Sequence, residues 1–498
     1  MDFLTSLEKS ISKNTFKNAF FIKDKGYTYA NFTRIIHSIR TEIKKSIPET
    51  EKRIGLVTYD DIYTYASIVA LWFEGKAYVP VQANAPVERN QSIWASTNTT
   101  VMLSSHKNNP YTQKSICTSE LHDNGYNALP IVQPKPADLA YILFTSGSTG
   151  KPKGVPISFE NLQGLITAID ADPLFQLNEE DKCLQMFELT FDFSLVTLLP
   201  PLLAGACLYT IPSDAIKYFY IFKLMQTQGL TVLTMVPSII HYLKPYFKEI
   251  NCTSVRYCSF GGGKLYDTIA SEWQDCIPNA AIFNYYGPTE FTVYSGYYPY
   301  HKTTATKSRN GIITIGKPFY GVDYILVNDQ NQEVPQGLEG ELCLSGVQIT
   351  SGYWNDPERN SYSFFNLKKN GEIKRFYKTG DLCIKDKEGD YLYVGRSDFQ
   401  VKIRGYRVEL GEIEHHVRSF LKSEEILVLD ITNELSNTEI ALYIKETPFN
   451  TNALEKHLKE QLPNYMVPTK YFFIDDFPFN SNGKIDRNLL RSQRQIAT

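Results

Sequence analysis

Apolar side chains recur along this chain with two different periods. After Ser158, the residues Leu162, Leu165, Ile166 and Ile169 fall at helical spacing, and Ser158 stands where a helix N-cap stands. LAYILF, VRYCSF, AAIFNYYG and ELCLSG are instead short apolar runs, several of them closed by glycine, and these predict strands. Strands interleaved with helices predict an α/β body with largely parallel sheets, in which ligands gather beyond the strand ends. The loop at 144–154 is expected between the strand LAYILF and the helix that follows Ser158. From Gly395 the texture changes. GRSDFQVKIRGYRVELGEIE is dense in charge, and after it come a helix, the strands EEILVLDI and TEIALYIKE, a second helix and a last strand, YFFIDDF. This predicts a separate α+β unit, dividing the chain into 1–397 and 398–498. The run Phe191 to Ile211 is long enough to suggest a membrane span, but it carries Asp192 and the pair Pro200-Pro201, which points to a buried helix followed by a strand.

Composition narrows the class. With 498 residues the chain exceeds what one hydrophobic core covers, so several packing units are expected. Its 51 basic and 54 acidic residues leave a formal charge of -3, which gives no global reason to bind nucleic acid or an anionic membrane. The eight cysteines form no C-x-x-C pair, as expected of reduced thiols in a cytoplasmic protein rather than metal ligands. The opening MDFLTSLEKSISKN lacks the basic and apolar regions of a signal peptide.

The chemistry concentrates in FTSGSTGKPKG, Phe144 to Gly154, where glycines, hydroxyls and lysines crowd together as they do around phosphate. The G-x-x-x-x-G-K-[ST] loop does not fit, because with Gly150-Lys151 as anchor its first position falls on Thr145 and its last on Pro152. Five more stretches join it: YYGPTE, GELCLSG, YKTGDL, GRSDFQVKIRGYRVELGEIE and NSNGKIDR. Singly, each has a plain reading. Gly287-Pro288 is an ordinary turn, Asp381 a turn carboxylate, Asn482-Gly483 a hairpin turn, and Lys402 with Arg404 a solvated strand face.

In this order, and with KAYVPVQANAPVERN and GYWNDPERN, the motifs resemble those of adenylate-forming enzymes. Within them the chain is most similar to amino-acid-activating adenylation domains of nonribosomal peptide synthesis and to D-alanine:carrier-protein ligases. The resemblance runs from near residue 27 to Lys484. It implies a large N-terminal portion with two mainly parallel sheets and a β-barrel, and a small mobile C-terminal α+β domain hinged at Asp398. It also implies the reaction: a carboxylate attacks the α-phosphate of ATP, pyrophosphate leaves, and a thiol then displaces AMP. Such an attack brings anion toward anion, so donors, lysines and Mg²⁺ must surround the phosphates.

Residue by residue, the resemblance places Thr145, Ser146, Gly147, Ser148, Thr149, Gly150 and Lys151 over the β- and γ-phosphates. Tyr286 stacks on adenine, with Gly262, Tyr285, Gly287 and Tyr393 also at the nucleotide. Thr289 meets the α-phosphate and Glu290 holds Mg²⁺. Asp381 accepts the ribose hydroxyls and Arg396 lies beside it. Lys484 bridges substrate carboxylate and α-phosphate, and Lys402 serves the thioester step after the small domain turns.

Asp192 or Ser194, read locally, caps the helix that follows. By resemblance Asp192 pairs the substrate's α-ammonium, which favours an amino acid over a plain carboxylic acid. The remaining pocket wall is Phe193, Val196, Ser259, Gly261, Tyr285, Val293 and Tyr294, with Lys484 at the carboxylate. Phe193 and Tyr285 narrow it while Gly261 opens one side, so a small or modest aliphatic side chain is expected, and Gly261 departs from the D-alanine ligases. No carrier attachment sequence is present, and the acceptor expected is the phosphopantetheine of a carrier protein in trans, loaded by a monomer. An acyl- or aryl-CoA ligase would not need Asp192. A non-catalytic nucleotide-binding protein would have lost Lys484 or Glu290.

Overall fold

The computed structural model describes residues 2–122, 129–147, 151–302, 306–369, 371–398, 400–478, 485 and 487–492. The chain folds into two compact units. The first comprises 1–83, 91–144 and 154–397, and the second 84–90, 145–153 and 398–498.

The first unit is built on two sheets. One has nine strands, and its centre runs parallel through Ala281–Tyr286, Tyr257–Phe260, Val232–Met235, Lys182–Gln185, Cys207–Thr210 and Asn18–Ile22. The other has six, in the order Lys114–Cys117, Val101–Ser104, Arg53–Thr58, Ala77–Gln82, Leu139–Thr145 and Lys153–Ser158. The short apolar runs become these strands because they are buried on both faces, as parallel strands covered by helices must be. Helices Ile62–Phe73 and Phe193–Ala204 are apolar around almost their whole circumference and lie inside the same core as both sheets. The run Phe191 to Ile211 is thus the expected buried helix and strand. Among the described residues no helix is long and apolar enough to cross a membrane. A third, five-stranded antiparallel sheet carries Asp323–Val327, Glu339–Ser345, Phe364–Lys369, Glu372–Lys385 and Tyr391–Arg396.

Helix Phe159–Asp170 begins as its sequence predicts, with Ser158 and Asn161 forming a reciprocal capping box. The element before it differs from expectation. KGVPIS is a strand, Lys153–Ser158, added beside Leu139–Thr145, so the glycine-rich loop joins strand to strand rather than strand to helix. Five of its six residues are buried. Burial in the sheet outweighs the helical pattern downstream, and the loop has no helix N-terminus behind it.

One buried ion pair fastens this unit. The Arg40 guanidinium donates to Glu74 at 2.7 Å and to the carbonyls of Leu129 and Pro130 at 2.9 and 2.7 Å, with Lys44 Nζ 3.1 Å from the same carboxylate. The Arg40 and Glu74 side chains are 6% and 4% exposed.

The second unit packs helices Leu410–Leu421 and Asn452–Gln461 against the strands Ile426–Thr432, Thr438–Ile444 and Lys470–Phe473. A two-stranded hairpin, Gln400–Ile403 with Tyr406–Glu409, precedes them. Its turn is Arg404-Gly405, both at positive φ (51° and 91°), as a two-residue hairpin connection requires.

Candidate active site

Strand Ala281–Tyr286 delivers Tyr286 to the end of the nine-stranded sheet, and its phenol donates to Asp381 Oδ2 at 2.6 Å. Asp381 and Arg396 face each other as register partners on adjacent antiparallel strands, and Arg396 donates to Asp381 Oδ1 at 2.7 Å. Burial pushes the Tyr286 phenol well up, and the Asp381 carboxylate adds to the shift. Tyr286, Asp381 and Arg396 therefore form one hydrogen-bonded group. Tyr393 lies on the strand that ends at Arg396, with Lys264 Nζ 5.8 Å from its ring centre, and Gly262 follows the neighbouring strand Tyr257–Phe260.

Beyond Tyr286 the chain turns through Gly287 into a short 3₁₀ helix, Thr289–Phe291, which buries Thr289 and Glu290. Glu290 is fully enclosed and accepts the Tyr353 hydroxyl at 2.6 Å. Thr292 and Val293 then adopt φ of 52° and 71°. Such values cost β-branched residues about 1–3 kcal/mol each and persist only where the surroundings dictate them. Here they do: Thr292 donates to the Gln348 carbonyl at 2.6 Å, the Gln348 amide donates to the Tyr294 carbonyl at 2.6 Å, and Ser295 N–H donates to the Tyr286 carbonyl at 2.8 Å. The strained corner fixes the direction of Tyr294.

Asp192 precedes helix Phe193–Ala204, but its side chain makes no capping bond and its backbone is helical. The plain N-cap reading fails. The carboxylate is instead buried, 4% exposed, near Tyr141 and Tyr294. Burial raises both phenols and the Asp192 charge raises them further. Phe193, Val196, Ser259, Gly261, Tyr285, Val293 and Tyr294 are all buried as well.

One expectation about this wall is overturned. Gly261 does not open the pocket. A Cβ there would come within 2.5 Å of Phe193 Cζ and 3.2 Å of the Tyr285 carbonyl oxygen, so the Phe193 ring already occupies the volume that the glycine leaves.

In the loop, Thr145 closes its strand with a buried hydroxyl oxygen that has no hydrogen-bond partner among the described residues. Lys151 is exposed. Ser146 and Gly147 are engaged within the second unit. The Ser146 hydroxyl donates to the Arg407 carbonyl at 2.8 Å and accepts Glu409 N–H at 3.0 Å, while Gly147 N–H donates to Glu412 at 3.0 Å. Arg89 donates to the same Glu412 at 2.7 Å, and Lys153 pairs with Glu409 at 3.1 Å. Lys402 is exposed on the hairpin, and Asp398 accepts Gln400 N–H at 3.1 Å. Ser148, Thr149, Gly150 and Lys484 lie outside the described residues. Sequence reasoning missed Tyr353, Glu409 and Glu412, because each acts through a partner far along the chain.

The family model of AMP-binding enzymes matches residues 7–354. The chain belongs to this adenylate-forming family. Tyrocidine synthase 3 of Brevibacillus parabrevis is 31% identical over 98% of this chain, which spans only 8% of that protein. Tyrocidine synthase 1 of the same organism is 30% identical over 95% of this chain, covering 43% of its own length. Among solved structures, the Vibrio cholerae adenylation domain AlmE in complex with glycyl-adenosine-5'-phosphate is 26% identical, with a TM-score of 0.83 over 99% of this chain and 98% of that one.

Proposed function

We propose that this AMP-binding enzyme activates an amino acid as its aminoacyl adenylate and passes the aminoacyl group to the phosphopantetheine thiol of a carrier protein. The substrate carboxylate oxygen bonds to the α-phosphorus of ATP while the bond to the β-phosphate breaks and pyrophosphate leaves. The thiol sulfur then bonds to the acyl carbon, the bond to AMP breaks, and the thiol proton passes to solvent.

Asp192 carries the reading. A carboxylate buried among aromatic rings, and taking no part in capping its helix, suits a site that receives a cation, and an α-ammonium is such a cation. The solved relative AlmE holds an aminoacyl adenylate, the intermediate this reading requires. Asp381 with Arg396 takes the ribose, Tyr286 lies against adenine, and the buried Thr145 hydroxyl meets a phosphate oxygen. The enclosed Glu290 would hold Mg²⁺, whose charge would neutralise the departing pyrophosphate. Lys484 balances charge between carboxylate and α-phosphate, and the exposed Lys402 serves the thiol step.

ATP–pyrophosphate exchange across a panel of amino acids and plain carboxylic acids tests this. Amino-acid-dependent exchange is expected, reduced about a hundred- to thousandfold by Lys484→Ala. Exchange supported only by a plain carboxylic acid refutes it.

A further inference from the structure

The wall beside Asp192 is closed by aromatic rings. Phe193, 2% exposed, stacks on Phe191 with ring centres 5.4 Å apart, tilts against Phe187 at 5.3 Å and meets Tyr294 edge-on at 5.2 Å. Its tip presses on the backbone of Gly261, where even a Cβ would lie 2.5 Å from Cζ and 2.7 Å from Cε1. Tyr294, 1% exposed, stacks on Tyr285 at 4.4 Å, and the Tyr285 hydroxyl shares a 2.5 Å hydrogen bond with that of Tyr257. The rings therefore brace one another, and the strained corner at Thr292 and Val293 holds Tyr294 in place.

We propose that the amino acid activated is glycine, and that Phe193 is the group that excludes a substrate β-carbon. The inference rests on the reading of Asp192 given above. On that reading the substrate's Cα lies against the wall to which Phe193, Gly261 and Tyr294 belong, and a side chain on it would have to enter volume the rings already fill. Making room requires moving Phe193 off Gly261, against Phe191, Phe187 and Tyr294 on its other faces. Close-packed interiors resist an added methyl group, and an apolar pocket separates substrates differing by one carbon about 10- to 200-fold.

The test is substrate-dependent ATP–pyrophosphate exchange by the full chain with glycine, L-alanine, D-alanine, L-serine and L-valine, and with acetate and propionate, the product trapped as its hydroxamate and weighed. Glycine is expected to give the highest kcat/KM, with each alanine at least about tenfold lower. In Phe193→Ala and in Phe193→Leu, which keeps an apolar side chain in the core, the alanine-to-glycine ratio of kcat/KM is expected to rise at least about tenfold. Alanine or a larger amino acid equalling glycine in the unmodified chain overturns the size assignment alone. A ratio unmoved in a folded variant overturns the role of Phe193. Exchange with plain carboxylic acids only, or with none of these compounds, overturns the Asp192 reading and this inference together.

Discussion

Replacing Asp381 by asparagine tests the ribose role proposed for this residue apart from its structural one. A carboxylate offers about four acceptor directions. Two are used, by the Tyr286 hydroxyl at 2.6 Å and Arg396 at 2.7 Å, leaving two for a vicinal diol such as the 2′ and 3′ hydroxyls of ribose. Asparagine keeps the shape, loses the charge and turns one acceptor into a donor. A hydrogen bond to a charged acceptor contributes about 1.5–3 kcal/mol. Losing one or both ribose bonds should lower kcat/KM for ATP about 10- to 150-fold. Arg396, with 17% of its side chain exposed, loses its ion pair with Asp381, so a stability loss of about 1–2 kcal/mol should accompany the change. The assay is the ATP dependence of exchange at saturating amino acid, run in parallel with 2′-deoxy-ATP. The unmodified enzyme should prefer ATP by about tenfold, and Asp381→Asn should bring that preference close to one. A folded variant that keeps both its ATP kcat/KM within about threefold and its preference for ATP refutes the ribose assignment.

Two further predictions concern stability. Glu74→Ala leaves the Arg40 guanidinium buried beside two carbonyls without its carboxylate, and urea melts should show a loss of about 3–5 kcal/mol; a loss below about 1 kcal/mol would mean that Arg40 finds water. Burial pushes the Asp60 carboxyl up from 3.8 to about 6, against the hydrogen bonds from Thr210 and Tyr65 that lower it. Because the folded value is raised, the stability this group contributes is fully present below pH 3.8 and lost as pH rises through about 6. Asp60→Asn should remove that loss, so its stability relative to the unmodified chain should rise by about 2–3 kcal/mol between pH 4 and pH 7, and an unchanged difference across that range would contradict the burial account.

Much of this architecture is legible in the chain because its signals are local. The capping box at Ser158 and the strands ending before Gly261 and Gly287 need only their neighbours in sequence. The motifs identify the family for the same reason, since each keeps its residues within a few positions. What was illegible depends on distant partners. KGVPIS becomes a strand because Leu139–Thr145 lies beside it. The space beside Gly261 is filled by Phe193, sixty-eight positions earlier, and no pattern around either residue announces that contact. Ser146 and Gly147 look like phosphate donors in sequence, yet their hydrogen bonds run to Arg407, Glu409 and Glu412.

The braced rings bear on how such a site can change. Phe193, Tyr294 and Tyr285 touch in series, so substitutions among them share neighbours and their energetic effects should not add. A single truncation removes support from the next ring before it creates a shaped cavity, whereas a compensating change at a second ring restores packing. On the reading proposed above, loss of the Phe193 ring alone relaxes the exclusion of a β-carbon, whereas a well-packed site for a larger side chain is reached through paired substitutions. A lineage built on this wall would change substrate in steps rather than drift, and libraries that vary the three rings together should yield altered specificity more often than scans of one position at a time.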